Sequence, residues 1–147
     1  MKAVIQRVKN AQVAVDSEVV GHIDFGLLIY LGVQKGDTLE QLEWLCAKIS
    51  KLRIFSDDKG KMNLSAKDVS GSLLVVSQFT LVANLSKGNR PSYDSAADPT
   101  EAQALYLKSL ELFKAEGFLV QSGTFGAHMD VTYTNDGPVT FILESGF

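Results

Sequence analysis

The chain has 147 residues, of which 46% are hydrophobic and 21% are charged, and its formal net charge is -3 at pH 7. This length and composition indicate one folded domain, residues 1–147, which needs no metal or disulfide for stability, and they exclude an intrinsically disordered chain. The negative charge argues against binding nucleic acid through a broad basic surface, although it is compatible with a protein that holds one end of an RNA.

Three strands are predicted first, Lys2 to Val15, Glu18 to Ile23 and Leu27 to Val33, with turn residues between them. The third run is apolar on both faces, so we expect a central strand that is covered on both sides. It is also the longest apolar run, far shorter than the roughly 18 residues of a membrane span. Because the opening residues lack the pattern of a signal peptide, we expect a cytoplasmic protein with no membrane partner.

A helix is predicted next, with Asp37 and Glu40 as its capping box. One side of it repeats at helical spacing and should face the sheet. That side consists of Leu39, Leu42, Cys46 and Ile49. Cys46 is the only cysteine, and we interpret it as a core residue in a reducing compartment rather than as a nucleophile. Trp44 lies off this side, either at the surface or against a neighbouring chain.

The middle of the chain predicts a short strand, Leu52 to Phe55, then a turn and a polar connector, and then a strong strand, Ser72 to Ala83. The segment Asn84 to Asp98 has loop composition, and its length suggests a function. Lys87 and Arg90 in this loop are either solvated or in contact with phosphates.

A second helix is predicted to open with Asp98 as N-cap, Pro99 at its first position and Glu101 closing a capping box. Its buried side should include Ala102, Leu105, Ser109 or Leu110, and Phe113, and Gly117 should end it. The remaining strands are Phe118 to Ser122, Met129 to Thr134 and Val139 to Leu143.

The stretch TNDGPVTF interrupts a β-branched pattern with Gly137 and Pro138. Proline lacks a backbone N–H and is normally confined to sheet edges, bulges and turns. Taken alone, the four residues Asn-Asp-Gly-Pro are therefore typical of a hairpin turn.

Common catalytic patterns are absent from the sequence. His22 and His128 lie far apart without ligand-spaced partners, and no phosphate-binding or nucleophile-elbow motif occurs, so neither a metal nor a cofactor is predicted. The stretch VVSQFTL instead places Ser77, Gln78 and Thr80 in a strand-like segment. Either Ser77 and Thr80 are ordinary sheet hydroxyls, or the backbone bends here and its N–H groups hold a developing oxyanion. Thr80 has no histidine base beside it and would be a poor nucleophile.

The whole chain resembles the bacterial-type D-aminoacyl-tRNA deacylases, also called the D-tyrosyl-tRNA deacylase family. The resemblance rests on AVIQRV, GLLIYLGV, LRIFSD, GKMNLS, VVSQFTL, RPS and NDGPVTF. SQFTL and NDGPVT together are highly specific, whereas either alone would be weak. The resemblance implies an α/β fold with a single compact domain, in which mixed or antiparallel β-sheets pack with two main helices in a three-layer arrangement.

For function, the resemblance implies hydrolysis of the ester that joins a D-amino acid, or glycine mischarged on tRNA-Ala, to the 3′ acceptor end of tRNA. It implies a homodimer with active sites at the subunit interface. A cis Gly137-Pro138 dipeptide of one subunit would face the catalytic residues of the other and reject L-aminoacyl-tRNA. Those residues are Ser77, Gln78, Phe79 and Thr80.

The resemblance also implies roles for several further residues. Ala102, Phe125 and Met129 would bind substrate, and Arg7 would support the Gly-Pro turn. Phe79 and Phe125 would stack on the terminal adenine, although core packing is the alternative for Phe125. In this family the 2′-hydroxyl of the tRNA is thought to take part in catalysis.

Three rival interpretations stay open at the level of sequence. One is an editing domain like that of archaeal threonyl-tRNA synthetases, which removes an L-amino acid. Another is the animal relative whose Gly-Pro peptide is trans. The third is a dimer that only binds nucleic acid or a small ligand. The sequence does not rank D-Tyr, D-Asp, D-Trp and Gly as preferred acyl groups.

Overall fold

A six-stranded mixed sheet organises the molecule, for which a computed structural model describes residues 1–146. The strands run in the order β2-β1-β3-β6-β7, and β8 pairs with β1. Pairing is antiparallel between β1 and each of β2, β3 and β8, and parallel from β3 to β6 and from β6 to β7. Their bounds are β1 Lys2–Val15, β2 Glu18–Ile23, β3 Gly26–Gly32, β6 Ser72–Ser77, β7 Val120–Ser122 and β8 Asp130–Glu144.

Two helices and a small second sheet complete the fold. The helices are α1 Leu39–Ser50 and α2 Pro99–Ala115, and a short 3-10 helix covers Phe79–Val82. The second sheet pairs β4 Arg53–Ser56 with β5 Met62–Ser65 in antiparallel fashion. This arrangement confirms the predicted α/β class with mixed sheets and two main helices. Among residues 1–146, no helix is long and apolar enough to cross a membrane.

The central strands are covered on both faces, as their apolar runs predicted. On one face, Leu27, Ile29 and Val75 join a core with both helices. On the other face, Leu28 and Leu74 pack with Val8, Val13 and Ile23. Alternation along a strand sends neighbouring side chains to opposite faces, so a run without polar residues contributes to two cores at once.

The start of α1 differs from its prediction. Thr38, rather than Asp37, is the N-cap, and the capping box is closed by Gln41. The Asp37 carboxylate instead accepts hydrogen bonds from the N-terminal ammonium of Met1 and from the Gln34 N–H, each at 2.6 Å. Leu42, Cys46 and Ile49 are buried as predicted and Leu45 is buried with them, whereas Leu39 is exposed.

Other boundaries also moved. The polar connector contains β5, and the last two predicted strands form one continuous β8 that includes Gly137 and Pro138. Helix α2 begins at Pro99 with Asp98 as N-cap, as predicted, and the Asp98 carboxylate accepts from the Thr100 N–H at 2.9 Å. The predicted capping box is wrong, because the Glu101 side chain makes no hydrogen bond to the cap within residues 1–146. The helix ends before Gly117, whose φ of +95° favours glycine.

Candidate active site

The chain turns sharply where β6 ends, at Ser77. The Gln78 N–H donates to the carbonyl of Leu31 on β3 at 2.8 Å, and the 3-10 helix then begins at Phe79. The prediction of a strand through Ala83 is therefore wrong, and so is the interpretation of Thr80 as an ordinary sheet hydroxyl, whereas Ser77 is the last residue of β6. The alternative, a bend in the backbone at this point, is confirmed.

Gly32 allows this turn to lie close to β3. A Cβ atom on Gly32 would come within 2.8 Å of the Gln78 carbonyl oxygen and 3.1 Å of the Leu81 Cβ. Both distances are shorter than ordinary van der Waals contact. The position of the Gln78 to Leu81 backbone therefore depends on the missing side chain of Gly32.

Two backbone donors at the turn have no acceptor among residues 1–146. A helix leaves its first N–H groups without intrahelical partners. The Gln78 N–H is engaged by Leu31, but the N–H groups of Phe79 and Thr80 make no hydrogen bond within residues 1–146. The Gln78 side-chain amide contacts the Thr80 hydroxyl, and both Phe79 and Thr80 are exposed. The turn thus presents two free donors to solvent.

A cavity of about 410 Å³ opens beside this turn. It collects most of the residues predicted to form the site, and it does not include Thr80, Gly137 or Pro138. The predicted residues on its wall are Ser77, Gln78, Phe79, Ala102, Phe125 and Met129. The long loop contributes Ala96 and Ala97, whereas Lys87 and Arg90 are exposed elsewhere on it.

Tyr106 forms the floor of the cavity and was missed at the sequence level. Its hydroxyl donates to the Val75 carbonyl at 2.9 Å, and its ring centroid lies 5.8 Å from that of Phe125. Burial raises the pKa of Tyr106 to about 12, so it stays neutral. Its helical position between Ala102 and Ser109 was the available signal, since that spacing places it on the same side of α2.

The described lining of the cavity carries no carboxylate and no imidazole. The side chain of His128 is 97% exposed although it neighbours Met129, and His22 lies on β2 with Asp24 at 3.4 Å. Within residues 1–146, no group of three or more His, Cys, Asp or Glu side chains is placed to hold a metal ion. Chemistry in this cavity has to use hydroxyls, amides and backbone dipoles.

The Gly-Pro turn projects from β8 with Gly137 and Pro138 exposed, and its peptide bond is cis. Asn135, which sequence reasoning did not single out, ties its two limbs together. The Asn135 amide donates to the carbonyls of Arg7 and Val139 at 3.0 and 3.2 Å. Its position two residues before Gly137 was the only signal.

Arg7 lies against the same turn. Its Nη1 donates to the Ile54 carbonyl at 2.7 Å, and its Nε lies 3.1 Å from the Asp136 carboxylate. The Nε contact has ion-pair distance without hydrogen-bond geometry, so Nε has no hydrogen-bond partner there. With a side chain only 11% exposed, Arg7 connects β1, β4 and the Gly-Pro turn.

Comparison with known proteins decides the family. The sequence profile of the family described as D-Tyr-tRNA(Tyr) deacylase matches residues 4–144. The chain belongs to this D-Tyr-tRNA(Tyr) deacylase family. It is 57% identical to a D-aminoacyl-tRNA deacylase of Pelobacter propionicus over 98% of this chain and 99% of that one. It is 52% identical to the enzyme of the same name from Thermotoga petrophila, over 99% and 97%.

Solved structures share the fold of this chain. One described as c-Myc DNA Unwinding Element Binding Protein has a TM-score of 0.94 and 40% identity, and the match covers all of both chains. One described as a probable eukaryotic D-amino acid tRNA deacylase has a TM-score of 0.79 over 97% of both chains, and at 18% identity it shows the shared fold alone. The predicted resemblance and the predicted enzyme class, a hydrolase of D-aminoacyl-tRNA, are confirmed.

Proposed function

We propose that this deacylase releases D-amino acids, and glycine mischarged on tRNA-Ala, at a site completed by the Gly-Pro turn of a second subunit. The observation that carries the proposal is the pair of free N–H donors, Phe79 and Thr80, beside a cavity whose described lining has no acid–base side chain. An ester needs stabilisation of its oxyanion more than it needs a strong base.

In the proposed reaction, the ester carbonyl oxygen accepts hydrogen bonds from the N–H groups of Phe79 and Thr80. Water attacks the carbonyl carbon, the acyl–oxygen bond breaks, and the ribose 3′-oxygen leaves with a proton, which gives free amino acid and tRNA. Donors of this kind contribute about a hundred- to a thousandfold in rate. The neighbouring ribose 2′-hydroxyl is the polar group best placed to pass the proton, since the described lining offers no base.

Thr80 serves in this scheme as a positioning hydroxyl. Its contact with the Gln78 side chain supports that role, because the contact holds both residues against the turn. Gln78 and Ser77 belong to the cavity wall and shape the approach of the ester. The competing role, Thr80 as nucleophile, lacks a neighbouring base to accept its proton.

Chirality is set, in this proposal, by the main-chain oxygens of Gly137 and Pro138 from the partner subunit. The turn is exposed, is held by Asn135 and Arg7, and does not line the cavity of its own chain. Rigid oxygens near the substrate α-carbon would collide with an L side chain, whereas a D side chain would point away from them. Glycine has no side chain to exclude and would be accepted.

Substrate contacts follow from the cavity wall. Ala102 keeps the helix side of the cavity open, and Met129 and Phe125 offer apolar surface. Phe79 is 57% exposed and lies edge-on to Tyr93 with centroids 4.9 Å apart. An exposed ring beside the mouth suits stacking on the terminal adenine of the acceptor end.

Exposed apolar residues after the turn support a homodimer. Phe141 is 40% exposed and Ile142 is 69% exposed on β8, just beyond Pro138. Large exposed apolar side chains in one segment mark interaction surfaces. A second subunit seated there would bring the two Gly-Pro turns close to the interface.

The test compares hydrolysis of D-Tyr-tRNA, L-Tyr-tRNA and Gly-tRNA-Ala by the purified protein. We expect turnover of the D and glycyl esters and at least a hundredfold slower turnover of the L ester. Thr80→Ala should retain at least a tenth of the rate, with Thr80→Ser as the matched control. Equal D and L rates would refute the gate, and loss of activity in Thr80→Ala with recovery in Thr80→Ser would restore the nucleophile role. Light scattering should give twice the chain mass of 16.0 kDa.

A further inference from the structure

A second concavity, of about 340 Å³, lies where α1 ends and β4 begins. We call it the basic groove. It is lined by Trp44, Ala47, Lys48, Lys51, Leu52 and Arg53. Three of the chain's 14 lysine and arginine residues thus lie within positions 48–53 of a protein whose net charge is -3. Such a local concentration of positive charge needs a separate explanation.

The three cations of the basic groove form no close ion pair within residues 1–146. Lys48, Lys51 and Arg53 are exposed, and of these three Arg53 alone has a carboxylate in electrostatic range: hydrogen bonds from Ser65 lower the pKa of Asp68, and the charge of Arg53 adds to that lowering. By contrast, Lys108 pairs with Glu111 at 2.8 Å. A helix C-terminus attracts cations, which accounts for Lys48 and Lys51. It does not account for Arg53, which lies on a strand beyond the helix.

The basic groove is structurally continuous with the Gly-Pro turn. Arg53 is followed by Ile54, whose carbonyl accepts a hydrogen bond from the Arg7 guanidinium at 2.7 Å. The same guanidinium lies 3.1 Å from Asp136, next to Gly137. The backbone of β4 thus joins the groove to the residues that hold the Gly-Pro turn.

The groove and the cavity of the same subunit share no lining residue. The cavity lies around the end of β6, the start of α2 and residues 125–129, whereas the groove is formed by the second half of α1 and the first residues after it. The groove is therefore a separate surface from the wall that holds the acyl group.

We infer that the basic groove binds the sugar-phosphate backbone of the tRNA whose acylated end lies in the partner subunit's cavity. The inference rests on the proposed function, in which the Gly-Pro turn acts in the partner's site. Arg53 offers a planar fork for phosphate oxygens, and the two lysines offer point charges. Backbone contacts of this kind position an RNA without reading its sequence.

The test uses charge reversal in the full-length dimer. Lys51→Glu combined with Arg53→Glu should raise the KM for D-Tyr-tRNA at least tenfold, leave kcat within twofold, and weaken the salt dependence of kcat/KM. Hydrolysis of D-tyrosyl-adenosine, which lacks the tRNA body, should not change. The matched control is Lys108→Glu with Lys114→Glu, which alters net charge equally on α2. Lys51→Gln with Arg53→Gln should show a smaller effect in the same direction.

Mixed dimers decide whether the groove serves the other subunit. Ala102→Phe in one subunit of the dimer closes the cavity of that subunit, so that only the open cavity of the other subunit contributes to the measured rate. When the groove variant is placed on the closed subunit, the KM of the open cavity should rise, and when it is placed on the open subunit, the KM should stay normal. The reverse pattern, or equal effects of groove and control variants, would overturn the inference. If the wild type hydrolyses neither D-Tyr-tRNA nor D-tyrosyl-adenosine, the proposed function itself fails.

Discussion

Replacing Gly32 by alanine would push a methyl group into the turn that follows β6. The new Cβ would lie 2.8 Å from the Gln78 carbonyl oxygen, 3.1 Å from the Leu81 Cβ and 3.3 Å from the Val82 Cγ1. Ordinary carbon contacts are about 3.5 Å or longer, so the turn has to move by about 0.5 Å. That movement would displace the N–H groups of Phe79 and Thr80 from their present positions.

Two effects of different size follow from this displacement. Overpacking costs about 1–3 kcal/mol of unfolding free energy, partly offset by the lower entropy of alanine in the unfolded chain. A misplacement of about 1 Å costs about a hundredfold in rate, so about half of it should cost about tenfold in kcat. The KM for D-Tyr-tRNA should change little, because most of the cavity wall stays in place.

The assay measures kcat and the melting temperature side by side for Gly32→Ala and Gly71→Ala. Gly71 precedes β6 at the opposite end of the strand, and its Cβ would meet Gly26 Cα at 3.2 Å and Ala66 O at 3.3 Å. Both variants should melt several degrees lower, but only Gly32→Ala should lose about tenfold in kcat. If the two lose stability equally and both retain full kcat, the turn backbone is not part of the catalytic machinery.

Three further predictions follow from other contacts. Asn135→Ala removes the donor that ties the limbs of the Gly-Pro turn, so the ratio of D-Tyr-tRNA to L-Tyr-tRNA hydrolysis should fall about tenfold. Asn135→Asp also lacks the donor and should lower the ratio equally. An unchanged ratio would show that Asn135 does not support the gate. Because the pKa of Tyr106 is raised from 10.0 to about 12, the folded state keeps a proton that the unfolded state releases between pH 10 and 12. The free energy of unfolding should therefore fall by about 3 kcal/mol at most over this range. Tyr106→Phe should make the free energy of unfolding, measured by urea denaturation, depend less steeply on pH. Thr38→Ala removes the N-cap of α1 and should cost about 1 kcal/mol without changing kcat; a loss of kcat would show that α1 reaches the site.

Local sequence patterns predicted the secondary structure well wherever one interaction dominates. The capped start of α2 at Asp98 and the first two strands were placed correctly. The cap of α1 was misplaced by one residue because Asp37, a good capping residue, is held by the distant N-terminal ammonium of Met1. The helix-capping pattern considers only neighbouring residues and does not include that competing partner.

The residues of the candidate cavity were indicated by the family resemblance rather than by their own chemistry. Ser77, Gln78 and Thr80 attracted attention because polar residues interrupt an apolar strand, and the structure places the first two on the cavity wall. Tyr106 and Asn135 were missed because their hydrogen bonds join positions 31 and 128 residues apart. The roles of the site residues in catalysis and in chiral selection stay predictions, which the experiments above test.

Patterns in the sequence were sufficient to predict the apolar periodicities, the N-cap of α2 and the membership of a deacylase family, and they show a Gly-Pro dipeptide late in the chain. The end of β6 follows from tertiary contacts instead, because it depends on the Gln78 N–H reaching Leu31 and on the room left by Gly32. Tertiary packing also brings Arg7 on β1 into contact with both β4 and the Gly-Pro turn on β8. Contacts between distant residues are made by the packing of whole elements, and no local pattern records them.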